Sequence, residues 1–358
     1  MTSQLHDDLT GARVLITGGA GFIGTALRTA LTGAGARPAL LDNLSAYGPT
    51  TLTLLDTGSN DPDLTVGDIG NEPLVRRLVA DADYVVHAAA HSSVHGCTTD
   101  PQTAVRSNLA GTDIVVRAVA GARNVRRFVL LSTAQVYGHG VPHTPRTEHA
   151  GVFTEDQPLD PLNIYANSKL WAEGHTRQLL GMAERDFTVL RPFSVYGPGQ
   201  VPKPGAASWV VAQFTMYAAL GQQLLLNNGG RQVRDFIFRD DVADAIVRSL
   251  TAPAASGQTL NLGTGAQTSV REVAEHIRRH FPEAEIVDAP RVAQDPLGSC
   301  ADTTRMRSVL NWSPSVRVED GVDRYVQWVR TAPNAIPDWM RAETSTSRVI
   351  AWRAPAPM

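Results

Sequence analysis

Tyr165-Ala-Asn-Ser-Lys169 sets a phenol and an ammonium four positions apart. On a helix that spacing is about one turn, so both side chains share a face. A phenol titrates at about 10, too high for a base at neutral pH. A neighbouring ammonium stabilises the phenolate and brings that value down. Such a pair can take the proton of an alcohol while hydride leaves its carbon, or deliver the proton in the reverse direction. Alone, Tyr-x-x-x-Lys is common on helices and carries little weight, so its surroundings decide. Ser132 and Thr133 follow the apolar run Arg127–Leu131. One of these hydroxyls could bond the reacting oxygen, or both could satisfy local backbone.

A second constellation lies at the N-terminal end. Thr17-Gly18-Gly19-Ala20-Gly21-Phe22-Ile23-Gly24 places glycines at i, i+3 and i+6. Gly18 permits a tight turn, Gly21 lets backbone approach a pyrophosphate, and Gly24 lets a helix pack closely on a sheet. The helix start then turns its free N–H groups and positive dipole end toward an anion. A lone glycine triplet is weak evidence. Here it follows a strand, precedes a helix and has Asp42 about 20 residues further on, at the end of the next strand. A carboxylate there accepts from both ribose hydroxyls and repels a 2′-phosphate, which favours NAD over NADP; a solvated turn aspartate is the alternative. Asp68-Ile69 could meet the adenine, with an N-cap aspartate as the competing reading.

These residues need a scaffold, and its rhythm is legible. Short apolar runs at Arg13–Thr17, Pro38–Leu41, Leu64–Val66, Tyr84–His87, Arg127–Ser132 and Thr188–Arg191 read as strands. Helical stretches lie between them, among them Phe22–Leu31, Pro101–Ala120 and Asn167–Leu180. Alternating strands and helices imply an α/β fold with a doubly wound, mostly parallel, Rossmann-like sheet. After Pro192 the rhythm changes. The Pro- and Gly-rich stretch Gly197–Gly205 leads to a helix near Trp209–Leu220, strand-like Gln232–Phe238, helical Asp241–Leu250, strand Thr259–Leu262 and helix Ser269–Phe281. The expected division is a cofactor-binding domain over 11–191 with return segments near 232–265, and a smaller, discontinuous α+β substrate-binding lobe over 192–330. Residues 331–358, rich in Ala, Pro, Ser and Thr, read as a poorly ordered tail.

Bulk composition narrows the partners. Lys and Arg number 32 against 35 for Asp and Glu, giving a formal charge of −3 that offers no basic stripe for nucleic acid. A small phosphorylated ligand needs only one or two well-placed arginines. No apolar run approaches the roughly 18–20 residues that span a bilayer. Met1–Leu9 is polar and acidic, and Cys97 and Cys300 read as free thiols of a reducing compartment. The expectation is a cytoplasmic protein without membrane contact.

With these motifs in order, the chain resembles an extended short-chain dehydrogenase/reductase of the nucleotide-sugar epimerase/dehydratase family. The resemblance rests on TGGAGFIG (17–24), LLDNLS (40–45), GDI (67–69), HAAA (87–90), STAQVYG (132–138), YANSK (165–169), RPFSVYGPGQ (191–200), RDFIFRDDV (234–242) and NLGTG (261–265). It implies a tightly held NAD and a UDP- or dTDP-linked sugar between the lobes. Tyr165 becomes the base and acid, Lys169 its electrostatic helper and ribose ligand, and Thr133 the hydroxyl partner. Gly18, Gly21, Phe22, Ile23, Gly24, Asp42, Asn43, Asp68, Ile69, Ala88, Ala89, Asn108 and Phe193 would surround the cofactor. Ser92, Gln135, Ser194, Arg234 and Arg291 would face the substrate, with Thr133 between the two. Arg234 would hold the diphosphate; pairing with Asp235 or Asp240 is the alternative. Family members also dimerise through helices matching 101–120 and 167–180.

Within the family, dehydrating members carry an acidic pair after the active-site threonine, and decarboxylating members a glutamate at the second of those positions. Here Ala134 and Gln135 stand there, and neither exchanges a proton near neutral pH. What remains needs only Tyr165, Lys169 and Thr133: a C4 epimerisation through a 4-keto sugar with NAD regenerated each turnover. A 4,6-dehydratase, a UDP-glucuronate decarboxylase, an NADPH-dependent 4-ketoreductase and an NAD-binding regulatory protein are the alternatives. Ser194 replaces a frequent asparagine, and Val292-Ala293-Gln294-Asp295 lacks the usual second phosphate arginine unless Arg291 substitutes. His91, His95 and Cys97 follow the fourth strand and read as loop residues or substrate contacts. No further ligand is spaced to complete a metal site there.

Overall fold

The computed structural model describes residues 9–57, 60–139, 151–204, 209–290 and 298–346. Its centre is a seven-stranded sheet. In chain order the main elements are β1 (Arg13–Thr17), α1 (Phe22–Gly33), β2 (Arg37–Asp42), β3 (Leu64–Val66), α2 (Glu72–Ala80), β4 (Tyr84–His87), α3 (Thr112–Gly121), β5 (Arg127–Leu131), α4 (Ile164–Met182) and β6 (Phe187–Pro192). They continue with β7 (Ser194–Tyr196), α5 (Val210–Ala219), β8 (Leu224–Asn227), β9 (Phe236–Phe238), α6 (Arg239–Thr251), β10 (Thr259–Leu262), α7 (Val270–His280), β11 (Ile286–Ala289), α8 (Val318–Thr331) and α9 (Asp338–Thr346).

The main sheet runs β10-β6-β5-β4-β1-β2-β3, and every pairing in it is parallel. Parallel strands are covered on both faces, which is why β4, β5 and β6 are buried along their whole length. On one face Leu27 and Leu31 of α1 pack with Val242 and Ile246 of α6. On the other, Val75 of α2, Val115 and Val119 of α3 and Leu180 of α4 close the second layer. The strand order reverses between β1 and β4, so the carboxyl ends of β1, β2, β4, β5 and β6 open on one crevice.

A smaller core lies beyond β6. Helices α5, α7 and α8 pack on Tyr196, Phe236 and Phe238, and β8 pairs in parallel with β11. The segment β10 returns to the main sheet beside β6.

Two expectations are corrected. The stretch Pro101–Ala120 is not one uniform α-helix: Val105–Gly111 winds as a π-helical segment before α3. The tail also begins later than composition suggested. Residues Asp338–Thr346 form α9, and Ala335, Ile336 and Met340 are buried in the smaller core. Three apolar anchors outweigh the polar composition around them.

Candidate active site

The glycine turn leaves β1 as Gly18 adopts φ +74°, and a Cβ there would lie 2.7 Å from the Ala89 nitrogen. At Gly24 a Cβ would lie 2.4 Å from the Gly18 carbonyl oxygen, so helix α1 reaches its position against the turn only with glycine. At Gly21, the N-cap of α1, the nearest contact of a Cβ would be the Gly18 carbonyl oxygen at 3.2 Å, and no side chain caps the helix. Phe22 and Ile23 form its first turn. An uncapped, glycine-lined helix start is what a diphosphate requires.

Asp42 ends β2 and closes the turn. Its carboxylate accepts from the Ala20 amide at 3.1 Å and the Leu44 amide at 2.8 Å. Burial raises its pKa, against the lowering effect of those amides and of the Lys203 ammonium. Lys203 is a basic residue near Asp42 that sequence reading missed. It lies over the Tyr47 ring, 5.0 Å from the centroid, and sits in a loop far along the chain. Asn43 donates to Asp68 at 2.7 Å, and Asp68 accepts from Gly70. The helix cap beyond them is Asn71, not Asp68. The Ile69 side chain is buried in the core beneath α2 and α3.

Ala88 and Ala89 leave β4 against the glycine turn. Before them His87 is fully buried, with Nδ1 at 2.7 Å from Thr17 Oγ1 and Nε2 at 2.9 Å from Thr112 Oγ1. Burial and the Lys169 charge push its pKa down to about 3, so the ring is neutral. Asn108, in the π-helical segment, accepts from the His91 amide at 2.7 Å and donates to Ser168 Oγ at 2.9 Å. That hydrogen bond pins α4 beside the fourth strand, and π-helical turns of this kind recur where side chains must be re-aimed.

Helix α4 begins at Asn163, whose side chain caps the Ala166 amide. Tyr165 and Lys169 follow one turn apart. The Tyr165 hydroxyl is hydrogen-bonded to Thr133, and burial pushes its pKa well above the ordinary value. The Lys169 ammonium donates to the Leu131 carbonyl at 2.8 Å at the end of β5. Burial lowers it to about 8, with Cys97 and Glu173 opposing. The expected lowering of the phenol by Lys169 is therefore not realised in the chain alone: the ammonium is engaged by a carbonyl, and desolvation dominates at Tyr165. Cys97 is fully buried and donates to the His91 carbonyl at 3.2 Å, and burial lifts its thiol to about 11. A thiol so placed is no nucleophile. Both cysteines are free.

Beneath the pair lies a buried charge network that sequence reading passed over. Arg191 grips Glu173 through two hydrogen bonds, at 2.9 and 2.7 Å, and donates to Tyr137 at 2.8 Å. Glu173 also accepts from Ser132 at 2.6 Å, and Tyr137 donates to Asn261 at 2.7 Å. The signal was present: Glu173 lies four residues beyond Lys169 on one helical face.

The residues expected to face the substrate lie nearer the surface. Gln135 is exposed, with its carbonyl accepting from Asn163 at 3.1 Å. Ser92 is exposed at the helix start before Ser93, which itself caps Gly96. Phe193 packs on Tyr137, with centroids 6.4 Å apart, and Ser194 lies in β7 beside Phe236. Arg234 donates to the Val233 carbonyl at 2.8 Å. Asp235 accepts from Thr264, Gly265 and Ala301, and Asp240 pairs with Arg239. Arg291 and the stretch to Asp295 lie outside the described residues.

The chain belongs to the NAD-dependent epimerase/dehydratase family, whose model matches residues 14–263. The UDP-glucose 4-epimerase of Mycolicibacterium smegmatis is 33% identical over 324 residues, spanning 89% of this chain and 98% of the relative. The dTDP-glucose 4,6-dehydratase of Streptomyces niveus is 31% identical over 340 residues, spanning 89% and 93%. Among solved structures, the UDP-glucose 4-epimerase of Thermus thermophilus in complex with NAD matches with a TM-score of 0.76 at 27% identity, over 89% of this chain and 99% of that one. The protein is thus an NAD-dependent enzyme of this family, and the uncapped glycine turn with Asp42 suits that cofactor. Among the described residues, no helix is long and apolar enough to cross a membrane.

Proposed function

We propose that the enzyme inverts C4 of a UDP- or dTDP-linked sugar through a transient 4-keto sugar. The observation that carries this reading is the pairing of an intact Tyr165–Thr133 contact with Ala134 and Gln135 in the next two positions. The Gln135 amide has no proton to exchange near pH 7 and is tied to Asn163. A reaction needing a second acid and base at those positions has neither. NAD, held by the turn from Gly18 to Gly24 and by Asp42, supplies a hydride acceptor and donor, and its oxidised ring adds a positive charge.

Tyr165 takes the C4 hydroxyl proton and returns it after the sugar has turned its other face. Thr133 holds the same oxygen. The buried Lys169 ammonium favours the phenolate electrostatically once the cleft is filled, because charges act strongly where water is excluded. Arg234 is assigned to the diphosphate through charge-assisted hydrogen bonds. We also assign a homodimer to the face of α3 and α4, where Val105, in the π-helical segment before α3, and Trp171, on α4, are exposed; light scattering checks it.

The relatives' names span epimerisation and dehydration, so the product decides. Incubation with a panel of UDP- and dTDP-sugars, with no NAD added, should yield products of unchanged mass. Loss of water, or of carbon dioxide from a uronic acid, overturns the reading in favour of a dehydratase or decarboxylase.

A further inference from the structure

Helices α7 and α8 lie side by side in the smaller lobe, joined by Val273, Ala274 and Ile277 on one and Val322, Val326 and Val329 on the other. At the rim of that contact His276 and His280 stand one helical turn apart on α7 and face Asp323 of α8. Both Nε2 atoms lie 2.7 Å from the same carboxylate oxygen, Asp323 Oδ1. The imidazole rings converge, with centroids 5.7 Å apart and planes inclined by 58°, rather than stacking. One potential ligand atom from each of the three residues lies within 4.8 Å of the others.

From this arrangement we propose that His276, His280 and Asp323 form a binding site for a zinc-class divalent transition metal, clipping α7 to α8. Two imidazoles and one carboxylate are the donor set that such ions favour, while magnesium and calcium call for oxygen ligands throughout. Zinc binding would replace the two histidine–carboxylate hydrogen bonds with metal bonds of about 2.0–2.2 Å. The histidine side chains are 15% and 27% exposed and Asp323 is 49% exposed, which leaves the outer position open to a water as fourth ligand.

Arg324 and Arg330 line the same surface cleft as His280 and Asp323, with their guanidinium groups engaged by other partners. Arg330 donates to the His280 carbonyl at 2.7 Å and lies over Phe281, and Arg324 lies over Phe238. The site belongs to the smaller lobe and shares no residue with the Tyr165 centre. Helix α8 also carries Tyr325, whose hydroxyl donates to the Gln200 carbonyl at 2.6 Å, so the clip would fix the helix that anchors the loop leading to Lys203.

The test uses full-length protein without a polyhistidine tag, stripped with a chelator and titrated with cobalt(II). One equivalent should bind with visible ligand-field absorption, and zinc should displace it. His280→Ala and Asp323→Asn should each weaken binding by at least about tenfold, while circular dichroism and retained NAD stay as in the unaltered chain. Absence of saturable cobalt binding overturns the proposal, as does binding that both variants leave unchanged. Zinc should also raise the melting temperature of the unaltered chain but not of Asp323→Asn; an equal rise in both counts against the clip.

Discussion

The assigned Tyr165 and Lys169 stand on α4 and Thr133 just beyond β5, all close to the main core, whereas Ser92 stands on a loop, Gln135 on the exposed side of the short 3-10 turn Ala134–Tyr137, and Arg234 on the two-residue strand Val233–Arg234. Lys169 and Thr133 are 4% and 8% exposed, and under them Glu173 and Arg191 form an ion pair almost wholly out of water. On the rim, Gln135 and Ser92 are exposed. A site that must hold a proton donor to a fraction of an ångström needs side chains locked by packing. A site that must distinguish one sugar from another can vary on loops without disturbing that centre. The contrast fits a family whose members are named for different reactions.

The largest effect should come from the rigid half. Tyr165→Phe removes only the proton-carrying oxygen, and should lower kcat by about 10²–10⁴-fold while NAD copurifies as before. Retained turnover would show that another group moves the proton. Next, Glu173→Ala strands the Arg191 guanidinium without its carboxylate and should cost about 3–5 kcal/mol in urea unfolding. A loss under about 1 kcal/mol would mean that the pair behaves as a surface one. In the looser half, Arg234→Ala should raise KM by about 10–100-fold, as expected for a lost charged hydrogen bond, with kcat nearly unchanged. A fall in kcat with constant KM would move Arg234 from the diphosphate to the chemistry.

The smallest effect is in pH dependence. His87 is held neutral, its pKa pushed from 6.5 to about 3 by burial and by Lys169. The unfolded chain therefore binds the extra proton first, and stability should fall as pH drops below about 6.5. Carboxylates held low in the fold, Glu173 among them, add their own loss only further down, below the ordinary glutamate range. Denaturant unfolding between pH 7 and 5 should show this slope, and His87→Gln should flatten it.

The same contrast explains what the sequence could tell. Strands of the main sheet announce themselves because burial on both faces demands continuous apolar runs, and β1, β3 and β4 match their expected bounds residue for residue. The glycine turn is legible because Gly18 and Gly24 meet backbone too close for any Cβ. Long-range partnerships are not. Lys203 reaches Asp42, and Asp323 meets His276, only through the fold, and nothing periodic marks either pair. The π-helical turn at Val105–Gly111 hid because its composition suits an ordinary helix. Lys169 departs from expectation for a related reason: spacing puts it beside Tyr165, but only the fold reveals the Leu131 carbonyl that accepts its hydrogen bond.

Whether hydride leaves C4 and comes back to the same carbon decides the account. A UDP- or dTDP-sugar that the enzyme turns over, carrying deuterium at C4, should be converted in water to its C4 epimer with the label kept at C4. No added NAD should be needed, and no free NADH should accumulate. Loss of the C4 label to solvent, or a product carrying the label at C6 after loss of water, would contradict it.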